Sequence, residues 1–491
     1  MYIATDQYQA YKATPVYRYY QTVDTWYVPA VYTRYKVYTN GLAPARMKAR
    51  VEVCTSVEVA TRPNLCTRFP DGNYKPTGQV QVNSVASRLS AFGYVMENAR
   101  TRYGGVLRAP MRFLGPQYRD TAGVMQNNAS SEWNVNNGVF TTDPLNAAPT
   151  FARSGLINYL NKFGSTGVYK SFDPVGELYY EALRYFQGLP PTAGAASGLT
   201  TAMYDSFPVY NNVVSATSTV AGWTDPIQNA CQRKNFIMVI GDVNTHNDRQ
   251  LPGHGGSMVT TEDPARAVET VPGGTNTFDA SYWTSLITGF ETAGNVSYND
   301  AKGIARNTLG NPNVVASNTT LQSKGTGSGS NSAYYWAGAA YWANTQPIRK
   351  DLKAGESLKE VRVKTFTIDV DENGNGTIDS NAGRGIAPRN SSFFLAGKYG
   401  WFNDANLDGS PFKTSGGLIN NQEWEDPDVP NTPDGYVIAS QAQKLVDAIE
   451  KFFKATSLEK GAVSVSSLSS QRFTTQEPNG DLFAPRFDTR D

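Results

Sequence analysis

Two apolar segments, KNFIMVIGD (residues 234–242) and VKTFTIDV (Val363–Val370), constrain the fold more than any other feature of this sequence. Apolar runs of this length that are rich in β-branched residues are typical of strands buried on both faces, as in parallel sheets. Helical patterns follow these segments, at residues 333–352 and 437–456. This alternation of strands and helices predicts an α/β fold with a doubly wound sheet.

The segment DPVGELYYEALRYFQG (residues 173–188) carries the clearest helix signals in the chain. Asp173 suits the N-cap, Pro174 the first helical position, and Gly188 the stop, while Glu177 supports the first turn. Three further segments predict a strand, a hairpin and a short helix: RLSAFGYVM (88–96), RYGGVLRAPMRFLG (102–115) and SGLINYLNKFG (154–164). They predict loop and β-hairpin insertions around the sheet.

The amino-terminal residues 1–40 contain ten tyrosines and partly alternate with period two. This pattern predicts a β-ribbon or extended segments, in which the aromatic rings either staple strands through cross-strand pairs or form a binding face. Cys54 and Cys66 follow, 12 residues apart, a spacing that suits a disulfide across a hairpin; the alternative is reduced structural cysteines. A disulfide requires an oxidising compartment, and Cys231 is left without a partner in this pairing.

The charge balance argues against a nucleic-acid partner, because the net charge is +1 and charged residues are 18% of the chain. The first residues, MYIATDQYQAY, have neither the basic nor the apolar region of a signal peptide. No apolar run approaches the roughly 20 residues of a spanning helix. The chain is therefore expected to be either cytosolic or the mature part of an exported protein.

The loop DENGNGTID after the second apolar segment resembles an oxygen-rich calcium loop. Asp371, Asn373, Asn375, Thr377 and Asp379 supply alternating ligands, and Gly376 permits the sharp turn. The twelfth position is Ala382 rather than the usual glutamate, so Asp369 from the strand is a further candidate ligand. The alternative is a polar Asn-Gly turn at a strand end.

A second candidate calcium loop is DANLDGS, with Asp404, Asn406 and Asp408 as ligands. It has the first half of the calcium pattern, with Pro411 where the anchoring apolar residue belongs. The acids that follow, Glu423, Glu425 and Asp426, lie in a proline-rich stretch and are expected on the solvated surface.

Catalytic signals are weak. The two histidines, His246 and His254, stand apart from any cysteine or serine nucleophile motif. No phosphate-binding or dinucleotide fingerprint is present in the sequence. The chain is therefore predicted not to be an enzyme.

Nine segments in order carry a resemblance to a known family. They are YKPTG, RYGGVLRAPMRFLG, SGLINYLNKFG, DPVGELYYEALRYFQG, KNFIMVIGDVNTH, AYWANTQPIRKDL, VKTFTIDV, FFLAGKYGWF and LFAPRFDTRD. The stretch from about residue 50 to the end resembles the amino-terminal half of PilY/PilC-type proteins, the tip-associated adhesins of type IV pili.

The resemblance implies a von Willebrand factor A-like doubly wound sheet with large insertions, followed in the family by a carboxyl-terminal β-propeller. Such domains hold a divalent ion at an adhesion site. Asp242 stands where that site's last aspartate belongs and Asp173 where its threonine belongs. The D-x-S-x-S motif of the site does not occur in this sequence. The resemblance therefore implies a remnant adhesion site, or one completed by residues outside this chain.

The expected organisation has three parts: a Tyr-rich segment at 1–80, a von Willebrand factor A-like domain at 81–456, and a strand-forming tail at 457–491 that leads toward the propeller. The resemblance implies an extracellular pilus-tip adhesin or assembly factor that binds minor pilins and a host or abiotic surface. The candidate calcium loop predicts that calcium stabilises it. The alternatives are an extracellular carbohydrate-active enzyme and a surface-layer or filament subunit.

Overall fold

The computed structural model describes most of the chain from residue 54 to residue 458, and two strands ahead of it. The described residues are 17–24, 32–39, 54, 59–60, 66–72, 74–85, 87–96, 104–120, 124–162, 172–210, 223–227, 234–291, 298–299, 305–306, 321, 332–350, 361–371, 377–380, 386–412 and 419–458. The predicted tail strand and Cys231 lie outside these residues.

The described chain contains both strands and helices. The strands are β1 (Tyr17–Asp24), β2 (Tyr32–Thr39), β3 (Cys66–Arg68), β4 (Tyr74–Pro76), β5 (Leu89–Tyr94), β6 (Gly105–Arg112), β7 (Gln117–Arg119), β8 (Met125–Asn127), β9 (Asn235–Gly241), β10 (Glu269–Thr270), β11 (Thr277–Phe278), β12 (Tyr298–Asn299), β13 (Ala305–Arg306), β14 (Val363–Val370) and β15 (Tyr436–Ala439). The helices are α1 (Gln79–Val82), α2 (Leu156–Lys162), α3 (Val175–Phe186), α4 (Ala193–Ala196), α5 (Ala280–Glu291), α6 (Tyr335–Thr345), α7 (Ser392–Trp401) and α8 (Ala442–Leu458).

The chain forms two compact units. The first comprises Met1–Arg88, Phe113–Asp120 and Met125–Pro144, and the second Leu89–Arg112, Thr121–Val124 and Leu145–Asp491. The predicted division at residues 80 and 456 stays a prediction.

Short antiparallel ribbons build the described part of the first unit. β1 pairs with β2 along their full length, so the predicted amino-terminal ribbon is confirmed. β3 pairs with β4, and a disulfide joins Cys54 to Cys66 with the two Cα atoms 6.0 Å apart. The backbone N–H of Cys54 also donates to the carbonyl of Tyr74. The disulfide and this hydrogen bond hold Cys54 against the hairpin.

A parallel sheet is the centre of the second unit, with strand order β15–β14–β9. β14 lies between its two neighbours and pairs Asp369 with Gly241 on one side and with Ile438 on the other. The described residues therefore form a mixed α/β structure, as predicted. Because all three strands are parallel, their carboxyl ends meet at one edge of the sheet.

Helices cover both faces of β14. Val363, Thr365 and Thr367 face α3 and α7, while Phe366 and Ile368 face the other side, where Phe452 of α8 packs against them. The prediction that VKTFTIDV is buried on both faces is confirmed. For KNFIMVIGD it was wrong: in the described sheet β9 is an edge strand, and Ile240 is 45% exposed.

The main core lies between β14 and the helices α3, α5, α6 and α7. Helix α6 is almost entirely buried, with Trp336 between Tyr179 of α3 and Phe393 of α7. Gly338 brings α6 close to α5, since a Cβ there would lie 2.7 Å from the backbone nitrogen of Thr284. No helix of the described residues is long and apolar enough to cross a membrane.

Two helix boundaries differ from the predictions. Helix α3 begins at Val175 with Pro174 at the cap, and the carboxylate of Asp173 makes no cap bond because it pairs elsewhere. Residues 436–439, which include the start of the predicted helix at 437–456, form β15, and α8 starts at Ala442. Val437 and Ile438 extend the sheet because β14 offers an unpaired edge to them.

Candidate functional site

The carboxyl edge of the parallel sheet gathers the acidic residues that the sequence singled out. β9 ends at Gly241 just before Asp242, and β14 ends at Val370 between Asp369 and Asp371. Ligands in open α/β sheets bind beyond the carboxyl ends of the strands. This edge is therefore the candidate functional site of the second unit.

The β14 end holds its two aspartates in fixed positions. Asp369 is fully buried, and its Oδ2 accepts a hydrogen bond from the Tyr436 hydroxyl (2.7 Å). Asp371 is also buried, and its backbone N–H donates to the carbonyl of Ala439 (3.0 Å). The neighbouring strand β15 thus fixes the start of the predicted calcium loop.

The rest of that loop is described in part. Asn373 and Asn375 lie outside the described residues, and Thr377 and Asp379 lie within them. Asp379 is 71% exposed at its side chain, and its carboxylate is bound by Arg389. Ile378 packs against the main core. Calcium binding at this loop stays a prediction.

The end of β9 faces the start of α3 across an acidic cluster. The imidazole Nδ1 of His246 donates to Oδ1 of Asp173 (2.6 Å), and the Phe172 ring meets the His246 ring edge-on. Burial raises the pKa of the Asp173 carboxyl, and repulsion by Asp242 adds to this rise. The hydrogen bond to Asp173 raises the pKa of His246. The two aspartates of the implied adhesion site therefore lie close enough to repel one another.

Each of these aspartates already holds a partner. Oδ1 of Asp242 accepts the backbone N–H of Asn244 (2.6 Å) and turns the chain after the strand. The partner of Asp173, His246, is a residue that no metal-site pattern in the sequence indicated. Whether an ion binds here stays a prediction.

Two buried acids of this cluster were missed in the sequence. Asp248 accepts the backbone N–H of Ala333 (2.6 Å), and Glu177 accepts that of Gln250 (3.0 Å). Oδ2 of Asp248 and Oε2 of Glu177 are buried without a hydrogen-bond partner. Burial raises the pKa of Asp248 to about 7 and that of Glu177 well above its ordinary value. Glu177 was expected only to support the first helical turn, and no sequence pattern singled out Asp248.

The second candidate loop lies after α7, apart from the strand ends. Asp404 caps it: its Oδ1 accepts the backbone N–H of Asp408 (3.0 Å) and its Oδ2 that of Gly409 (2.9 Å). The amide of Asn406 donates to Oδ2 of Asp408 (3.1 Å). The structure therefore brings the three predicted residues of this loop together.

The prediction that Glu423, Glu425 and Asp426 are solvated surface was wrong for the two glutamates. Both are buried, and Glu425 accepts the backbone N–H of Asn431. Asp426 is half-buried and binds Lys451 (2.6 Å). These acids are buried because the segment folds back over the end of α7, where the Asn403 N–H donates to the Glu423 carbonyl (2.8 Å). A contact between segments this far apart leaves no local pattern in the sequence.

Comparison with known proteins places the chain in a family. The family model described as "PilY1 homolog, second domain" matches residues 98–343. The curated protein described as "Type IV pilus biogenesis factor PilY1 homolog", from Xylella fastidiosa, is 32% identical over 470 residues, which covers 90% of this chain and 34% of that protein. No solved structure matches. The chain therefore belongs to the family of PilY1 homologs and spans about a third of the length of its curated relative.

Proposed function

We propose that this chain is part of an exported type IV pilus biogenesis factor that acts at the pilus tip. There it binds minor pilins and attaches the pilus to a host or abiotic surface. The observation that carries the proposal is the family match, which includes the segment from α3 through β9 to α6. The relative's printed name refers to pilus biogenesis, and adhesion is our extension of it.

The proposal gives the second unit a von Willebrand factor A-like architecture. Three parallel strands with helices on both faces of β14 are compatible with it. In this interpretation the cluster of Asp173, Asp242 and His246 occupies the position of the adhesion site.

Calcium at residues 371–379 belongs to the same proposal. Asp369 and Asp371 are held side by side at the end of β14, and a loop that adds Asp379 concentrates negative charge there. A bound calcium ion would neutralise these carboxylates and tie the loop to β15. The expected consequence is a stiffer domain that transmits tension from the filament.

We propose a non-catalytic role. The buried acids at the sheet edge accept hydrogen bonds from backbone amides, an arrangement that orders loops. The disulfide between Cys54 and Cys66 supports an extracellular location, since such bonds persist in oxidising compartments.

The test is deletion of the gene in the bacterium that encodes it, followed by complementation with the parent and with Asp371→Ala. Loss of surface pili on deletion and recovery with the parent are expected, together with co-purification of minor pilins from sheared pili. Asp371→Ala should restore pili only in part. The loop would lose a calcium ligand, and without the ion its remaining carboxylates would repel one another. Asp428→Asn, an exposed aspartate outside every candidate site, is the matched control and should restore them fully.

Normal piliation in the deletion strain would overturn the pilus-tip function. So would retention of the protein in the cytoplasm of a piliated parent strain. Full recovery with Asp371→Ala would remove calcium at this loop from the proposal and leave the rest.

A further inference from the structure

Three carboxylates outside the sheet edge lie within reach of a single ion. Asp404, Asp408 and Glu423 each place one oxygen within 4.8 Å of the others, and they are the one such group of three among the residues that the structure describes. Glu423 lies far from the loop in sequence and was expected on the surface. The fold therefore adds an acid that the loop's own sequence pattern does not contain.

The loop is shaped so that its acids face Glu423. Leu407 and Gly409 adopt left-handed backbone conformations (φ 59° and 74°), which curl the chain back on Asp404. The Tyr341 hydroxyl donates to the Gly409 carbonyl and anchors the loop to α6.

Glu423 supplies an independent observation. It is 7% exposed; its Oε1 accepts the backbone N–H of Ala405 (3.1 Å), and its Oε2 is buried without a hydrogen-bond partner. A buried carboxylate oxygen that lacks a hydrogen bond of good geometry is costly, because it has lost its water. An ion between the three carboxylates would replace that water.

One lysine lies close to the segment that carries Glu423. Lys398 packs on the ring of the next residue, Trp424, with its ammonium 4.3 Å from the ring centroid. That ammonium is bound to Glu291 (2.7 Å), so its charge is already paired.

We propose that Asp404, Asp408 and Glu423 form a binding site for one calcium ion, with the amide oxygen of Asn406 as a further ligand. The ligands are all hard oxygens, and three carboxylates that bind through one or both oxygens can meet the coordination number of 6–8 that calcium prefers. The ion cross-links the loop at 404–409 to the segment at 419–425 over the end of α7. This site is independent of the loop at 371–379 and of the pilus function.

The test is a calcium titration by calorimetry on the chelator-treated 491-residue chain. Glu423→Gln keeps the shape of the side chain and its acceptor for Ala405, and Asp408→Asn changes an exposed residue, so at least one variant is expected to fold. Each should lose one calcium from the stoichiometry or weaken its affinity at least about tenfold, since ligand charge sets affinity in such sites. Asp428→Asn, which removes one exposed charge elsewhere, should bind as the parent does.

Terbium luminescence locates the ion. Terbium bound here should be sensitised by Tyr341 or Trp424, and calcium should displace it at lower concentration than magnesium does. Glu423→Gln should remove the part of the signal that comes from this site, whereas Asp379→Asn, in the other loop, should leave that part unchanged.

Two results would overturn the proposal. One is unchanged calcium stoichiometry and affinity in folded Glu423→Gln and Asp408→Asn, with circular dichroism establishing the fold. The other is a terbium signal that Asp379→Asn removes and Glu423→Gln does not. Displacement by magnesium at a lower concentration than calcium would overturn the choice of ion.

Discussion

Single acids near the carboxyl end of β9 show how burial and backbone contacts set the properties of a side chain. Asp248 is fully buried, and its Oδ1 accepts a hydrogen bond from the backbone N–H of Ala333. Its Oδ2 has no hydrogen-bond partner. Burial raises its pKa from 3.8 to about 7, and nearby Asp173 adds a smaller rise. The folded protein therefore holds a proton at Asp248 more tightly than the unfolded chain does.

This shift predicts a pH-dependent effect of Asp248→Asn. Between pH 3.8 and about 7 the unfolded chain releases its proton first, so the parent loses stability as pH rises through this range. Asparagine can keep the bond from Ala333 and carries no charge. At pH 8 Asp248→Asn should therefore unfold with a free energy about 2 kcal/mol or more above that of the parent, and the difference should shrink or reverse near pH 4.

Urea unfolding at pH 4, 6 and 8 measures this difference, with Asp428→Asn as the exposed control. A difference between Asp248→Asn and the parent that stays constant across the three pH values would contradict the assignment of the shift to Asp248.

Among the elements, those with a strong local pattern could be predicted from the sequence. The central strand β14 and the helix α3 were both expected, because an unbroken apolar run and a capped amphipathic segment depend on neighbours in sequence. Two other features were not expected: the exposure of Ile240, and the strand at Tyr436–Ala439. Both depend on which strands pair with β14, and this pairing has no local pattern in the sequence. The burial of Glu423 depends in the same way on a contact between distant segments.

The close approach of α7 to β14 is another long-range feature, and it predicts a strong effect at Gly400. A Cβ at this position would lie 2.7 Å from the Cβ of Thr365 and 2.9 Å from that of Ala340. Gly400→Ala must therefore push α7 away from the sheet and from α6, which should lower the free energy of unfolding by about 1–3 kcal/mol.

Gly289→Ala in α5 is the matched control, because a Cβ there meets open space. It should raise the free energy of unfolding by about 0.5–1 kcal/mol, as alanine favours the helix over glycine. Denaturant titrations of both variants give the comparison. If the two substitutions changed the free energy of unfolding equally, α7 would lie farther from β14 than the distances at Gly400 indicate.

At the scale of the whole molecule, family membership was accessible from the sequence because ordered segments carry it. The grouping of residues into units was harder to predict. β5 and β6 belong to the second unit, but the later segments Phe113–Asp120 and Met125–Pro144 belong to the first. A boundary drawn along the sequence cannot express this exchange of segments, because it depends on contacts rather than on composition.

The disulfide within the first unit supplies the last prediction. Cys54 and Cys66 are 12 residues apart, and a cross-link that closes a loop of this length stabilises the folded state by about 2–3 kcal/mol, chiefly by restricting the unfolded chain. The variant Cys54→Ser/Cys66→Ser should therefore exchange amide hydrogens faster in β3 and β4. The buried strand β14 and helix α6 of the second unit should keep the exchange rates of the parent.

Hydrogen–deuterium exchange read by mass spectrometry compares the two proteins, and reduction of the parent with a thiol should reproduce the variant's pattern. Unchanged protection of β3 and β4 in the variant would mean that the hairpin pairing, and not the cross-link, holds this part of the first unit together.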